Sequence, residues 1–162
     1  MQKKPISSEE IDEAKVLNQA AGLCSRREYC VSQMREKLAA WGLPDNACER
    51  VIHRLVDERF IDELRFARAY AMDKMRYNHW GRVKVGQMLR LMGIPAALRQ
   101  TALDELPADE YTAILQRLAR QKRPALKARN DYELRGKLMR FLAGRGFEAD
   151  EVARAIDDER LS

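Results

Sequence analysis

The amino-acid sequence predicts an all-α protein made of three tandem three-helix repeats that together form an elongated, curved array. Three observations carry this expectation. Apolar residues recur every three or four positions through almost the whole chain, as in Cys30, Met34, Leu38 and Trp41 or Val51, Ile52 and Leu55, whereas the alternation of a half-buried strand is nearly absent. Glycine recurs inside a shared string. Leu38-Ala-Ala-Trp-Gly42-Leu43-Pro44 lines up with Leu89-Arg-Leu-Met-Gly93-Ile94-Pro95, 51 residues on, and then with Leu142-Ala-Gly-Arg-Gly146-Phe147-Glu148, a further 53 residues on. Each string is followed by a helical stretch with a paired apolar position: Val51 and Ile52, Ala102 and Leu103, Ala155 and Ile156. Near-constant spacing is what stacked modules with a shared core produce. The simpler alternative is one irregular bundle of nine helices.

In chain order, the first repeat spans 1–61, the second 62–107 and the third 108–162. Each opens with a helix, at about residues 9–23, 62–77 and 108–122. Ser8 before Glu9, Glu10 and Ile11 predicts the first start, and Ser25 with Glu28 three residues later predicts a capping box ahead of the next helix. Asp62 opens the second repeat, and Asn130 or Asp131 opens a late helix. Gly42, Gly93 and Gly146 stand where helices should stop, because glycine enters the left-handed conformation of a helix C-terminus without a Cβ clash. Pro124 ends the opening helix of the third repeat. Met34, Met88 and Met92 fall at helical core positions.

A hydrophobic fraction of 46% over 162 residues is too high for a wholly disordered chain. No apolar run approaches the roughly 18 residues that cross a bilayer, and Met-Gln-Lys-Lys-Pro-Ile-Ser-Ser leads into acidic residues instead of a secretory core. A cytoplasmic protein with no membrane partner is expected. Cys24, Cys30 and Cys48 match neither a Cys-x-x-Cys pair nor a zinc framework, and read as reduced thiols on helices. The net charge of +5 is unevenly spread. Residues 1–63 carry 10 Lys and Arg against 12 Asp and Glu, residues 64–106 carry 8 against 3, and residues 107–162 carry 12 against 10. From Arg117 to Arg145 there are ten cations against only Asp131 and Glu133. A polyanion is the natural partner of such a surface, since contacts to phosphate release counterions.

The candidate contacts follow from this pattern. The element from Asp62 to Ala67 reads mainly as a helix start, with Arg65 its residue most free to meet a partner. Between Arg76 and Lys84 cations mix with Tyr77, Asn78, His79, Trp80 and Gly81. Arg76, Arg82 and Lys84 can hold phosphate there, while Trp80, which aligns with Tyr29, either stacks on a partner or packs inward. Arg117, Arg120 and Arg123 fall on similar helix faces as a positive stripe that an anion would relieve, continued by Lys127 and Arg129. Arg135, Lys137 and Arg140 extend the field, with Arg140 the one retained as a contact. No phosphate-binding loop exists, because Gly81 to Gly86 continues with Gln87-Met88, and His53 and His79 stand apart from any ligand cluster. No enzyme activity, cofactor or metal is expected.

Four motifs carry a family resemblance. Phe60-Ile61-Asp62-Glu63-Leu64-Arg65-Phe66-Ala67 resembles the Gly-Tyr-Leu-Asp-Asp-x-Arg-Phe-Ala signature of the RecX family of bacterial recombination regulators, with Arg59 at the glycine. Trp80-Gly81-Arg82-Val83-Lys84-Val85 resembles that family's aromatic-Gly element, with Arg82 where many members have proline. Ser25 to Glu28 with Met34 to Leu38 is similar to its first-repeat pattern, and Lys137 to Leu142 with Arg145-Gly146-Phe147 to its third. Their order and spacing over about 120 residues make the likeness specific. It implies a protein that lodges in the groove of the RecA recombinase filament on single-stranded DNA, inhibits its ATPase and strand exchange, and so modulates recombination, DNA repair and the SOS response; a monomer is expected because no long apolar helix face is left over. It also implies direct binding to single-stranded or double-stranded DNA. The alternative is a helical protein acting on duplex without a recombinase, although no recognition helix with base-reading side chains stands out.

Overall fold

The computed structural model describes residues 12–161, which hold nine α-helices and one short 3-10 turn. The helices are α1 (Glu13–Cys24), α2 (Val31–Ala40), α3 (Asp45–Asp57), α4 (Glu63–Asn78), α5 (Arg82–Leu91), α6 (Ala96–Asp104), α7 (Ala108–Lys122), α8 (Asp131–Gly144) and α9 (Ala149–Leu161), with the 3-10 turn at Arg123–Ala125. The all-helical class and the threefold recurrence of three helices are as predicted. The chain divides into two compact units, one ending at Phe66 and the other beginning at Ala67, so that the break falls within α4.

In the first unit α1, α2 and α3 enclose Val16, Ala20, Met34, Leu38, Val51 and Leu55, with Tyr29, Leu43 and Ile61 closing the ends. Burying side chains of this size stabilises by about 1.5–3 kcal/mol each. Asp12 caps α1, its Oδ1 accepting from the amides of Ala14 at 3.1 Å and Lys15 at 3.4 Å. The cap expected at Ser8, with Glu9 and Glu10, lies outside the described residues. The capping box expected from Ser25 and Glu28 does not form. Ser25 instead closes the end of α1, donating from Oγ to the Gly22 carbonyl at 2.6 Å. The start of α2 falls to Cys30, whose amide donates to Gln33 Oε1 at 3.2 Å. The reason is that Tyr29 is drawn into the core while Glu28 turns to Arg65, which moves the helix start five residues on. The other two expected caps form, Asp62 accepting from Arg65 N at 2.9 Å and Asn130 from Glu133 N at 2.8 Å.

All three aligned glycines end a helix in the same way. Gly42, Gly93 and Gly146 have φ of 86°, 77° and 92°. At each, the glycine amide donates three residues back, to the carbonyl of Ala39, Arg90 or Ala143, and the next amide donates five residues back, to that of Leu38, Leu89 or Leu142. The residue after the glycine and the leucine that its amide meets are buried in every case: Leu43, Ile94 and Phe147, and Leu38, Leu89 and Leu142. This pairing satisfies carbonyls that a helix end leaves open, and it explains why the string Leu-x-x-x-Gly-apolar recurs. Arg59 reaches a comparable place after α3 with φ of 59° and no such freedom. Its amide donates to the Val56 carbonyl at 3.0 Å, and that of Ile61 to Leu55 at 3.1 Å.

In the second unit α7, α8 and α9 pack on one another. Tyr111 and Phe147 meet at 5.3 Å between ring centroids, tilted by 56°. The N-terminus of α5 docks on the C-terminus of α8. The amide of Gly81 donates to the Arg145 carbonyl and that of Val83 to the Gly146 carbonyl, both at 2.9 Å. Neither glycine has room for a side chain. A Cβ on Gly81 would stand 2.3 Å from Gly146 O, and one on Gly146 would stand 2.3 Å from Lys84 Cβ. Each repeat also joins its first helix to its third, or to the residue just past it, through an ion pair: Glu13 with Arg50 at 2.8 Å, Arg68 with Glu105 at 2.6 Å, and Arg120 with Glu159 at 3.2 Å. The first two pairs are open to solvent and add little stability, while Glu159 in the third is largely covered.

Two outcomes are expected in urea unfolding. Gly81→Ala should destabilise by about 3 kcal/mol or more, because its methyl meets backbone that cannot yield, whereas Gly93→Ala, with open space around it, should lose only the left-handed penalty of roughly 1–2 kcal/mol. Arg59→Gly should stabilise by about 0.5–1 kcal/mol, the relief of the same penalty less glycine's chain entropy. A Gly81→Ala variant as stable as Gly93→Ala would disprove the tight junction.

Candidate polyanion interface

Of the ten candidate contacts, Arg65 belongs to the first unit. Asp62 starts α4 and directs Arg65 back over the turn, where Nε donates to Glu28 at 2.6 Å and Nη2 to the carbonyls of Arg59 at 3.1 Å and Phe60 at 3.2 Å. The Glu28 hydrogen bond raises its pKa and holds the guanidinium in place. Arg65 therefore buttresses the left-handed turn at Arg59.

The other nine lie in the second unit. Arg76, at the end of α4, forks onto Glu110 at the start of α7, with contacts of 2.7 and 3.0 Å. The hydrogen bond from Arg76 keeps the Glu110 carboxyl below its ordinary pKa. Arg82 is the most enclosed of the set, its side chain 21% exposed. It lies flat over the Tyr111 ring at 3.9 Å, donates from Nη1 to Glu148 at 2.9 Å and to Glu151 at 3.3 Å, and from Nε to the Leu103 carbonyl at 3.3 Å. Its own amide donates to the Tyr111 hydroxyl at 2.9 Å, and that hydroxyl donates to Glu148 at 2.5 Å. Burial first, and the Glu148 hydrogen bond second, push the Tyr111 phenol far above its usual range. Burial, reinforced by the Glu148 charge, also raises Glu151. Arg82 is charged despite burial because the Glu148 contact and the surrounding negative charge outweigh its desolvation.

Trp80 is half-buried, with Lys74 Nζ 5.0 Å and Lys84 Nζ 4.5 Å from its ring centroid. Cations already cover it, so the ring orders the lysines and offers little face to a partner. Next to it His79 adopts φ of 55°, and Arg117 Nη2 stands 3.3 Å from its Nε2.

The third repeat holds the remaining cations. Arg120 reaches Glu159, and Arg129, 92% exposed, comes only within 4.0 Å of Glu133. Arg123 is half-buried beside Ala119, Leu138 and Ile156. Lys127 is exposed, and its carbonyl accepts from Lys137 Nζ. Arg140 is exposed and lies back along α8 with Nη1 over Gly136. Among the described residues, Lys84, Arg117, Arg123, Lys127 and Arg140 enter no ion pair with a carboxylate, whereas Arg65, Arg76, Arg82 and Arg120 each do. The first group can neutralise phosphate without first surrendering a carboxylate. The stripe of Arg117, Arg120 and Arg123 is thus relieved in part by Glu159 from within.

Sequence reasoning missed Tyr111, Glu148 and Glu151 as the partners of Arg82, and left out Tyr132, which is 89% exposed on α8. A regularity could have exposed the first of these. Glu13 with Arg50, Glu28 with Arg65, Arg68 with Glu105 and Tyr111 with Glu148 all meet across 37 residues. No group of three or more His, Cys, Asp or Glu is placed to hold a metal among the described residues, and none of their helices is long and apolar enough to cross a membrane. Arg82→Ala should destabilise by roughly 2–3 kcal/mol, since it strands two partly buried carboxylates. Thermal melts of Arg82→Ala and Arg140→Ala would check this, with Arg140→Ala expected within about 0.5 kcal/mol of the parent. Equal losses would refute it.

Comparison with known proteins follows the same division into three. Family models for the first, second and third three-helix domains of RecX match residues 17–55, 62–103 and 109–156 in order. The chain is 32% identical over 149 residues to the regulatory protein RecX of Prosthecochloris aestuarii, covering 91% of this chain and 95% of that one. It is 28% identical over 140 residues to the regulatory protein RecX of Vibrio vulnificus, covering 86% and 90%. In fold it is similar to the crystal structure of RecX from Lactobacillus salivarius, with a TM-score of 0.83 at 19% identity over 93% of this chain and 98% of that chain. A crystal structure of a regulatory protein RecX gives 0.80 at 20% identity over 90% and 71%. With its three domains matched in order and a relative aligned along nearly its full length, the chain belongs to the RecX family of regulatory proteins.

Proposed function

We propose that the protein is a non-enzymatic regulator that binds the RecA nucleoprotein filament on single-stranded DNA and inhibits its ATPase and strand exchange, thereby modulating recombination and DNA repair. The observation that carries this reading, beside family membership, is the division among the cations. Arg65, Arg76 and Arg82 are engaged in holding turns and helices, while Arg117, Arg123, Lys127 and Arg140 stand on the third repeat without a carboxylate. Uncompensated cations attract an anionic assembly from a distance and gain from counterion release on contact. Arg129 and Lys84 extend the same field, and Arg120 joins it once Glu159 is displaced. An insert held in this way inhibits by occupying the path of incoming duplex and resisting the shape changes of nucleotide turnover. The protein acts as a monomer in the cytoplasm, and it contacts DNA as well as recombinase. Its domains divide at 1–61, 62–107 and 108–162.

The test is the ATPase rate of the cognate recombinase on single-stranded DNA, titrated with the protein at two salt concentrations. Inhibition is expected at amounts well below those that coat the bare DNA, and weaker at the higher salt. A variant carrying Arg117→Glu, Arg123→Glu and Lys127→Glu should need about ten-fold more protein for half inhibition. Full inhibition by this variant, folded by circular dichroism, would place the interface elsewhere. Tight binding to duplex with no effect on the recombinase would favour the reading as a DNA-binding protein acting alone.

A further inference from the structure

Most aromatic rings of the second unit are either buried or covered by a cation. Tyr70 lies under Lys74, Trp80 under Lys74 and Lys84, Tyr111 under Arg82, and Phe141 beside Lys122 and Arg145. Tyr77, 79% exposed near the end of α4, and Tyr132 differ. Tyr132 is the more open of the two, standing 89% exposed on the first turn of α8 with no cation over its ring among the described residues. An open tyrosine ring offers a large, rigid, amphipathic face on which a partner can pack.

The surroundings specify what would cover it. Asn130, Tyr132, Glu133, Gly136, Met139 and Arg140 line an open groove of about 460 Å³ along this side of α8. Gly136 is one turn from Tyr132 and provides a floor without a side chain. Arg140 lies back along the helix over this position, its Nη1 in ordinary contact distance, 3.5 Å, of where a Cβ at position 136 would stand, and it stays exposed. At the other end Arg129 is 92% exposed. The one carboxylate lining the groove, Glu133, has its charge countered by Lys137 at 3.3 Å and by Arg129 at 4.0 Å. An open ring, a shallow floor and flanking cations are the combination that takes an unpaired base on its π-face and the adjoining phosphates on its arginines. Paired bases cannot reach such a ring, because their faces are stacked within the duplex.

We propose that the α8 groove is a single-strand nucleic-acid platform, in which one base stacks on Tyr132 while Arg129 and Arg140 hold the neighbouring phosphates. The inference rests on the reading of the protein as a binder of nucleoprotein filament, and it assigns the single strand to a definite place. A lone platform of this kind prefers single strand to duplex and is tolerant of sequence.

The experiment uses the full chain and a fluorescein-labelled twenty-nucleotide oligothymidine, read by anisotropy, with the matching duplex in parallel. Tyr132→Ala should weaken binding to the single strand by about 5-fold or more, Tyr132→Phe should leave it within about two-fold, and neither should alter duplex binding. Replacing thymidines by 5-bromodeoxyuridine and irradiating should cross-link the oligonucleotide to the peptide containing Tyr132, which mass spectrometry locates. Unchanged single-strand affinity of folded Tyr132→Ala, or no binding of the oligonucleotide by the parent protein, overturns the platform. If Tyr132→Ala keeps its affinity for the oligonucleotide but loses recombinase inhibition, the ring contacts protein and the proposal fails while the regulatory reading stands. If instead the single strand is held through Tyr132 but the recombinase is unaffected, the platform stands and the regulatory reading fails.

Discussion

The arrangement of the second unit depends on one backbone contact, the docking of the α5 N-terminus onto the end of α8. Amides of Gly81 and Val83 that no helix could satisfy meet the carbonyls of Arg145 and Gly146 that no helix could satisfy. The positive end of one helix dipole meets the negative end of another, so each neutralises its partner. Such an approach requires glycine on both sides. Everything else at the joint follows. Arg82, one residue beyond Gly81, is carried over the Tyr111 ring toward Glu148 and Glu151, and Lys84 is carried over Trp80. The helix N-terminus that would otherwise attract an anion is used up internally, which leaves side-chain cations to do that work.

The sequence made the fold legible because its punctuation is local. A glycine that must be left-handed, a leucine four residues before it and an apolar residue after it are neighbours in the chain, so their recurrence could be read directly. The start of α2 was misread for a related reason. Ser25 and Glu28 have the right spacing for a cap, but Glu28 is claimed by Arg65, 37 residues away, and only the fold reveals that competition. The same limit governs the site. Arg76 and Arg82 look like free cations in the sequence and carry carboxylates from α7 and α9, whereas Arg140 and Lys127 look no different and carry none. Charge runs identify where a polyanion can be met. They do not distinguish an arginine that builds the surface from one that is available on it.

That distinction bears on how the surface works. Exposed ion pairs such as Arg76 with Glu110 gain little stability in water, and their effect is to remove arginines from competition for phosphate. Residues 64–106 carry the larger net charge, yet Arg65, Arg68, Arg76 and Arg82 there are all paired with carboxylates, so total charge overstates the cations that are available. Arg65 shows the structural use most plainly, since its fork closes the turn whose left-handed residue is itself an arginine.

The position of the two tryptophans has a further consequence. Trp41 ends α2 in the first unit at 38% exposure, and Trp80 precedes Gly81 in the second, half-buried between two ammonium groups. The chain thus contains one natural fluorophore in each unit, in environments of different polarity. Trp80 adjoins the joint between the second and third repeats, where nearby charge shifts indole emission, and Trp41 is remote from it in the sequence. Intrinsic emission of single-tryptophan variants can therefore report separately on events in either unit without any added label.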